Sequence, residues 1–304
     1  MDSVKMKLNE NFIKYPIAHR GLHSEEVCEN SLEAFRLAVE KGYAIEIDVH
    51  LTLDGNLAVI HDSFLSRVTG KSGIVEQLTT QKLKDYRLRD GQRIPMLSDV
   101  LELVDGRVPI LIELKFRRKF NERQADVLLM QLKNYPRKDL VAMQSFHPKA
   151  VRYLKERTRE YSVGYLCSFR LVRNHRFVNY VLLSLRLFRY MHADFISYDI
   201  NYLPNKYVAA KKKRGVQVLA WTVNSDEKEK RARRTADNII FEHILPPLPA
   251  PTDGAQAKKK IFSTYLNNKT PPPFQMGGVF FTIYAPRGKL FRAAHFNFIN
   301  SWWA

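Results

Sequence analysis

The chain of 304 residues has little cysteine: Cys28 and Cys167 are its only two, and no CxxC spacing occurs. A disulfide framework and a thiolate zinc site of the usual kind are excluded, and a reducing compartment becomes the default. Long apolar runs are also missing. The longest apolar stretch, FVNYVLLSLRLFRYM at 177–191, is interrupted by Arg186 and Arg189, and it falls short of the roughly 20 apolar residues that a bilayer crossing needs. The first residues, MDSVKMKLNENFIKYP, lack the apolar core and small-residue cleavage pattern of a secretory signal. These absences together predict a cytoplasmic protein. With 13 Gly and 14 Pro, a collagen-like or low-complexity chain is excluded. Acidic residues are outnumbered, 31 Asp and Glu against 49 Lys and Arg, which leaves a charge of +18. That excess favours anionic membranes, nucleic acid or phosphorylated substrates without choosing among them. The basic residues are scattered and form no zinc-finger, RRM or helix-turn-helix pattern, so no nucleic-acid partner is expected.

What is present is a globular composition, 45% hydrophobic and 26% charged. Eight short β-rich runs alternate with helix-length intervals: PIAH at 16–19, YAIEIDV at 43–49, VPILIELK at 108–115, LVAMQS at 140–145, YSVGYL at 161–166, ADFISYD at 193–199, VQVLAWTV at 216–223 and DNIIF at 237–241. Such alternation predicts parallel βα units, and eight of them match an α/β fold of the TIM-like (β/α)8 barrel type, with an open doubly wound sheet as the alternative. A short extra strand at 57–61 precedes a small insertion at about 62–95. The barrel is assigned to 1–245. From Pro246 the composition shifts to PPLPAP, KKK, PPP and an aromatic run ending in FNFINSWWA, and 246–304 is read as an irregular C-terminal extension that wraps the barrel or binds a membrane or partner. The apolar stretch at 177–191 has helical spacing. It fits a buried helix packed on the sheet or, with Arg170, Arg173, His175 and Arg176 close by, a basic amphipathic helix in peripheral contact with an anionic membrane.

The chemistry is concentrated at strand ends. In Ile45-Glu46-Ile47-Asp48-Val49, the period of two puts both carboxylates on one face and the apolar residues on the other. Packing two anions together is costly and calls for a bound cation or a shared proton. Glu113 and Lys115 repeat the geometry on LIELK, where a structural salt bridge is an equal alternative. Three oxygen donors, Glu46, Asp48 and Glu113, suit a hard divalent cation such as Mg²⁺ or Ca²⁺ better than zinc. His19 in PIAHRG and His61 in VIHD both fall at the same expected rim, which points to an acid/base pair. Arg20, before Gly21, can turn over the rim with its guanidinium toward an anion, for which phosphate is the natural partner. Asn30 to Glu33 reads as a helix N-cap with a carboxylate at N3, and Gly42 as the C-cap.

AHRG at 18–21, ENSLEAF at 29–35, GYAIEIDVHLTLDGNLAVIHD at 42–62, IPMLSDVLEL at 94–103 and LIELK at 111–115, in this order and spacing, resemble the glycerophosphodiester phosphodiesterases. The similarity runs from about Tyr15 to Val223 and includes QSFHP at 144–148 and AWTVN at 220–224. The resemblance implies a TIM-like barrel that hydrolyses glycerophosphodiesters, its small-molecule substrates, to glycerol phosphate and an alcohol with a divalent cation. It implies Glu46, Asp48 and Glu113 as metal ligands, His19 and His61 as the acid/base pair, Arg20 and Lys115 on the phosphate, and Phe146 and Trp221 beside the glycerol or leaving group. A lysophospholipase D-like hydrolase at a membrane surface and an inactive lipid-binding scaffold are the competing readings. The last strand departs from the family pattern. Thr235-Ala236-Asp237-Asn238-Ile239-Ile240-Phe241-Glu242 lacks both glycines, and the segment before it has only Ala232 and Ala236 as apolar residues. Either the aromatic tail supplies burial there or the eighth unit is loose.

Overall fold

The protein is described by a computed structural model that covers residues 6–117, 119–168, 180, 181 and 184–250, with the backbone of 274–276 and 279–281. The strands are β1 (Ile17–His19), β2 (Ala44–Leu51), β3 (Leu57–Val59), β4 (Ile110–Leu114), β5 (Val141–Ser145), β6 (Ser162–Cys167), β7 (Phe195–Asp199), β8 (Gln217–Val223) and β9 (Asn238–Phe241). All except β3 pair in parallel in the order β1-β2-β4-β5-β6-β7-β8-β9, and β9 returns to β1 through Ile17 opposite Ile240. The sheet therefore closes into a TIM-like (β/α)8 barrel, and the open sheet is excluded. Its helices are α1 (Glu10–Lys14), α2 (Leu32–Lys41), α3 (Ser66–Thr69), α4 (Thr80–Leu83), α5 (Leu97–Val104), α6 (Glu122–Leu132), α7 (Pro148–Arg157), α8 (Phe188–Met191), α9 (Lys206–Lys212) and α10 (Asp226–Thr235).

Strand periodicity divides the barrel wall. Ile45, Ile47, Val49, Ile112 and Leu114 belong to the main core, together with Phe35 and Ala38 of α2, Val100 of α5 and Leu128 of α6. The other face turns inward. Ile17, Ala44, Leu111, Ala142, Phe195, Leu219 and Ile240 form a separate apolar layer with Leu8 and Phe12 of the N-terminal segment. Two residues further along most of these strands come His19, Glu46, Glu113, Gln144, Trp221 and Glu242. One layer inside the barrel is thus apolar and plugged by α1, and the next is polar and open to the C-terminal rim, the usual location of a site in this fold. The plug has no counterpart in the sequence reading, because a five-residue helix is too short to show periodicity.

β3 pairs antiparallel to β2, and its Ala58 forms an isolated antiparallel bridge with Met96. It leads into the insertion, which packs its own small core from Ile60, Leu65, Val68, Val75, Leu83, Leu88 and Ile94. The eighth unit closes without family glycines. β9 pairs with β8 at Leu219 opposite Asn238, Asn238 Nδ2 donates to the carbonyls of Phe12 and Tyr15 at 2.7 and 2.6 Å, and Ala232 alone on α10 is fully buried. Strand pairing on both sides of β9 does what a wide apolar helix face would otherwise do. The stretch at 177–191 is not one continuous helix. Part of it lies outside the described residues, and Leu185 has φ 55°, in the left-handed region that an α-helix interior excludes, before α8 begins. No helix among the described residues is long and apolar enough to cross a membrane. The chain divides into compact units Met1–Pro249 and Ala250–Ala304. In the second, an antiparallel pair, β10 (Phe274–Met276) with β11 (Val279–Phe281), is described. The rest of the extension expected at 246–304, beyond residue 250, lies outside the described residues, as do Arg170, Arg173, His175 and Arg176.

Candidate functional site

Register brings the predicted residues together. His19 of β1 is opposite Glu46 of β2, and Asp48 of β2 is opposite Glu113 of β4. Glu46, Asp48 and Glu113 are all buried, and each offers a carboxylate oxygen within 4.8 Å of the other two. Glu46 Oε1 is buried without a hydrogen-bond partner. Burial and the neighbouring Asp48 and Glu113 push the Glu46 carboxyl well above the usual carboxylate range. Glu113 is pushed up to about 7, by burial and by Asp48 against the pull of Lys115. Burial also disfavours the Asp48 anion, but Lys115 and Arg20 outweigh it and hold that carboxyl well below the usual range. Lys115 Nζ lies 2.7 Å from Glu113 and 3.3 Å from Asp48, so the salt bridge anticipated for Glu113 and Lys115 exists within the larger cluster. Two cationic side chains and three carboxylates leave an acidic surplus inside the barrel, and oxygen donors so arranged fit a hard divalent ion.

Arg20 adopts φ 56° and Gly21 φ 81°, which turns the chain sharply over the rim. Gly21 is required here, since a Cβ would lie 2.7 Å from the Ala34 backbone. The turn aims the Arg20 guanidinium inward: Nε is 3.2 Å from Asp48 and Nη1 donates to Glu29 at 2.9 Å. Asn30 is not the helix cap that the sequence suggested. Ser31 caps α2 by accepting from Ala34 N at 3.1 Å, while Asn30 Nδ2 donates to Asp48 Oδ2 at 2.9 Å. A capping pattern alone cannot separate two adjacent cap-type residues, and the φ of 54° at Asn30 decides it.

The histidines come from different segments, His19 from β1 and His61 from the chain just after β3. His19 Nδ1 is 2.9 Å from Glu242 Oε2, and His61 Nδ1 is 2.7 Å from Asp62 Oδ1. Burial lowers the His19 pKa although Glu242 opposes it. His61 is lowered to about 4, by burial first and by Lys115 and Arg20 after the opposing Asp48. With both Nδ1 atoms committed to carboxylates, the Nε2 atoms are the ones free to exchange protons at the site. Sequence reasoning missed Glu242. It lies two positions after the inward-facing Ile240, so the period-two rule applied to the last strand would have found it.

A cavity of about 220 Å³ unites these groups, with His19, Arg20, Glu46, His61, Glu113 and Lys115 on its polar side. Its apolar side is Phe146, Leu166, Trp221 and Ile240. Phe146 and Trp221 meet edge to face at 5.4 Å. Gln144 also lines the cavity, its Oε1 accepting from Ser197 Oγ at 2.6 Å, a polar contact that the sequence reading did not assign. All nine predicted site residues thus lie in or directly beside one cavity. The arrangement offers an acidic cluster that could hold a cation, two histidines, two cationic side chains for an anionic group and an aromatic wall.

Residues 19–244 match the model of the glycerophosphoryl diester phosphodiesterase family. A glycerophosphodiester phosphodiesterase of Caldanaerobacter subterraneus subsp. tengcongensis is 32% identical over 236 residues, 74% of this chain and 93% of that protein. Glycerophosphodiester phosphodiesterase 1 of Bos taurus is 28% identical over 75% of this chain and 78% of its own length. Among solved structures, the glycerophosphodiester phosphodiesterase of Thermotoga maritima matches with a TM-score of 0.60 and 27% identity over 75% of this chain and 94% of its own. A phosphodiesterase of Oleispira antarctica, solved with the product sn-glycerol-3-phosphate, has the same fold at a TM-score of 0.66 and 23% identity, over 84% of this chain and 99% of its own. With a family match spanning nearly all of the barrel and a relative similar over most of its length, the chain belongs to the glycerophosphoryl diester phosphodiesterase family.

Proposed function

We propose that the protein hydrolyses glycerophosphodiesters to glycerol phosphate and an alcohol, with Glu46, Asp48 and Glu113 holding Mg²⁺ or Ca²⁺. As a member of its family it is a phosphoric diester hydrolase. The observation that carries the reading is a single 220 Å³ cavity in which a buried acidic cluster meets two histidines and two cations. A divalent ion held by these three carboxylates would supply Lewis-acid polarisation of the phosphoryl group. Arg20 and Lys115 offset the charge that builds on phosphoryl oxygens as the transition state forms. One imidazole Nε2 takes the proton of the attacking hydroxyl, and the other protonates the leaving alkoxide. Glu242 and Asp62 hold the two rings with Nδ1 turned away from the reaction. Phe146 and Trp221 exclude water from the glycerol or leaving-group side. The working location is the cytoplasm, in keeping with two cysteines that form no disulfide with each other.

The test is release of glycerol phosphate from glycerophosphocholine and glycerophosphoethanolamine by the purified protein, first in EDTA and then with Mg²⁺ or Ca²⁺ restored. Activity that requires the ion is the expected result. Activity on lysophosphatidylcholine alone would move the reading to a lipid-surface lysophospholipase D, and no activity with any divalent ion to an inactive scaffold.

Metal occupancy has a second readout in stability. A carboxyl whose folded pKa lies above its unfolded value binds the extra proton when folded, so stability falls as pH rises through the window between the two. For Glu113 that window runs from 4.5 to about 7. Ion-free protein is therefore expected to lose stability from this source between pH 4.5 and about 7, and added Mg²⁺ or Ca²⁺ to raise Tm more at pH 8 than at pH 5. Equal shifts at both pH values in thermal unfolding would contradict the assignment.

A further inference from the structure

His61 is placed by different means from His19. β1 is paired on both sides, with β2 and β9, so the closed barrel itself fixes His19. β3 has three residues and ends at Val59, and beside its ladder with β2 it has the isolated bridge of Ala58 with Met96 and the bond from Val59 N to the Pro95 carbonyl at 2.8 Å, so the chain that carries His61 leaves a short strand. Just past its end Ile60 N donates to the Asp48 carbonyl at 3.0 Å, and the path from residue 61 onward needs restraint from elsewhere. Asp62 orients the His61 ring, but as the adjacent residue it moves with the same loop. Arg67 ties Asp62 to Glu29, and at 46% side-chain exposure such a tie contributes little.

The stronger restraint comes from the insertion. The His61 carbonyl accepts from His50 Nε2 at 3.0 Å. His50 is 2% exposed, and its Nδ1 lies 2.8 Å from Glu76 Oε1. The same oxygen accepts from Ser63 Oγ at 2.8 Å, and Val75 N donates to the Ser63 carbonyl at 3.0 Å. One carboxylate oxygen therefore grips the catalytic loop at two points, directly at residue 63 and through a buried imidazole at residue 61. His50 is on the same face of β2 as Glu46 and Asp48, so the grip is anchored to the strand that carries two of the proposed metal ligands.

We propose that Glu76 of the insertion is a positioning residue for His61, acting through His50 and Ser63. This assigns the insertion a catalytic purpose: it holds the chain beyond the end of β3, where His61 lies. The inference rests on the reading of His61 as a proton-transfer group. Proton transfer is sensitive to placement at the scale of one ångström, at which losses reach about 10²-fold.

The test is a double-mutant cycle on the full chain with metal present. Glu76→Ala is expected to lower kcat by about 10- to 100-fold with KM within about twofold, since the lost placement acts on the chemical step rather than on substrate binding. Glu76→Gln keeps an oxygen that accepts from Ser63 and is expected to retain most of the turnover. In a His61→Ala background, Glu76→Ala should cause no further loss, because a residue that acts only through His61 has nothing left to act on. Ser63→Ala, which removes one of the two grips, should give a smaller loss that also vanishes in that background. It serves if Glu76→Ala does not fold. Wild-type kcat in Glu76→Ala, or the same fold-loss with and without His61, overturns the proposal while leaving the role of His61 intact. Near-wild-type turnover in His61→Ala alone overturns the acid/base reading and this inference with it.

Discussion

His19→Ala and His61→Ala each lower kcat/KM for glycerophosphocholine by about 10² to 10⁴, the usual scale for a general acid or base, while Tm and the response to added Mg²⁺ or Ca²⁺ stay near those of the wild type. The geometry separates these outcomes. Neither imidazole belongs to the apolar layers that hold the barrel, and His61 is partly open, with 29% of its side chain exposed. Truncating either ring leaves the three carboxylates and both cations in place. What is lost is a proton route whose Nδ1 end is held by Glu242 or Asp62. Glu242→Gln provides a graded comparison. The amide still offers an oxygen to the His19 Nδ1–H, and what disappears is the charge that stabilises the imidazolium as it forms, so its loss should be smaller than that of His19→Ala. Turnover near that of the wild type in either folded histidine variant, measured by glycerol phosphate release, would reject the assignment of that histidine.

Lys155→Met destabilises the fold by about 3 to 5 kcal/mol, the range for breaking one side of a buried ion pair, and lowers Tm by roughly 10 °C on the scale for a chain of this size. Lys155 on α7 donates to both oxygens of Asp194 at 3.0 and 2.8 Å, with 2% and 0% of the two side chains exposed. Asp194 also accepts from the backbone N–H of Met6 at 3.0 Å and of Val163 at 2.9 Å. The pair therefore connects the N-terminal segment, whose Leu8 and Phe12 plug the barrel, to β6 and to the approach to β7. Removing the lysine leaves a buried carboxylate with two neutral donors and no counter-charge. Adding Asp194→Asn should recover about half of the loss, because the amide oxygen still accepts from a backbone donor while the stranded charge is gone. Urea unfolding of the single and double variants measures both values, and a Lys155→Met protein as stable as the wild type would show that the pair is not a structural tie.

The barrel strands were readable because each parallel strand is buried on both faces and appears as a short apolar run between turn residues. The exceptions to that apolarity located the site. Glu46, Asp48 and Glu113 interrupt such runs at the period that turns them inward, and a buried carboxylate is too costly to be there without a cation. His19 and His61 were readable as strand-end residues. Local pattern was insufficient wherever the backbone departs from regularity. Helical spacing at 177–191 carries no information about the left-handed Leu185, and a capping pattern did not separate Ser31 from Asn30. The strand at Glu46 was read as ending at Val49, whereas β2 continues to Leu51 and brings His50 onto the face of the site.

The sequence by itself determined which charged residues turn toward the inside of the barrel, because period-two alternation and the cost of buried charge are local properties that any eight-stranded arrangement of these runs would share. Tertiary structure alone decided what holds those residues in place. Glu242 meets His19 across 223 positions only because β9 closes on β1, and Glu76 reaches His50 only because the insertion folds back onto β2. Both contacts depend on closure and docking between distant segments, which no local spacing encodes.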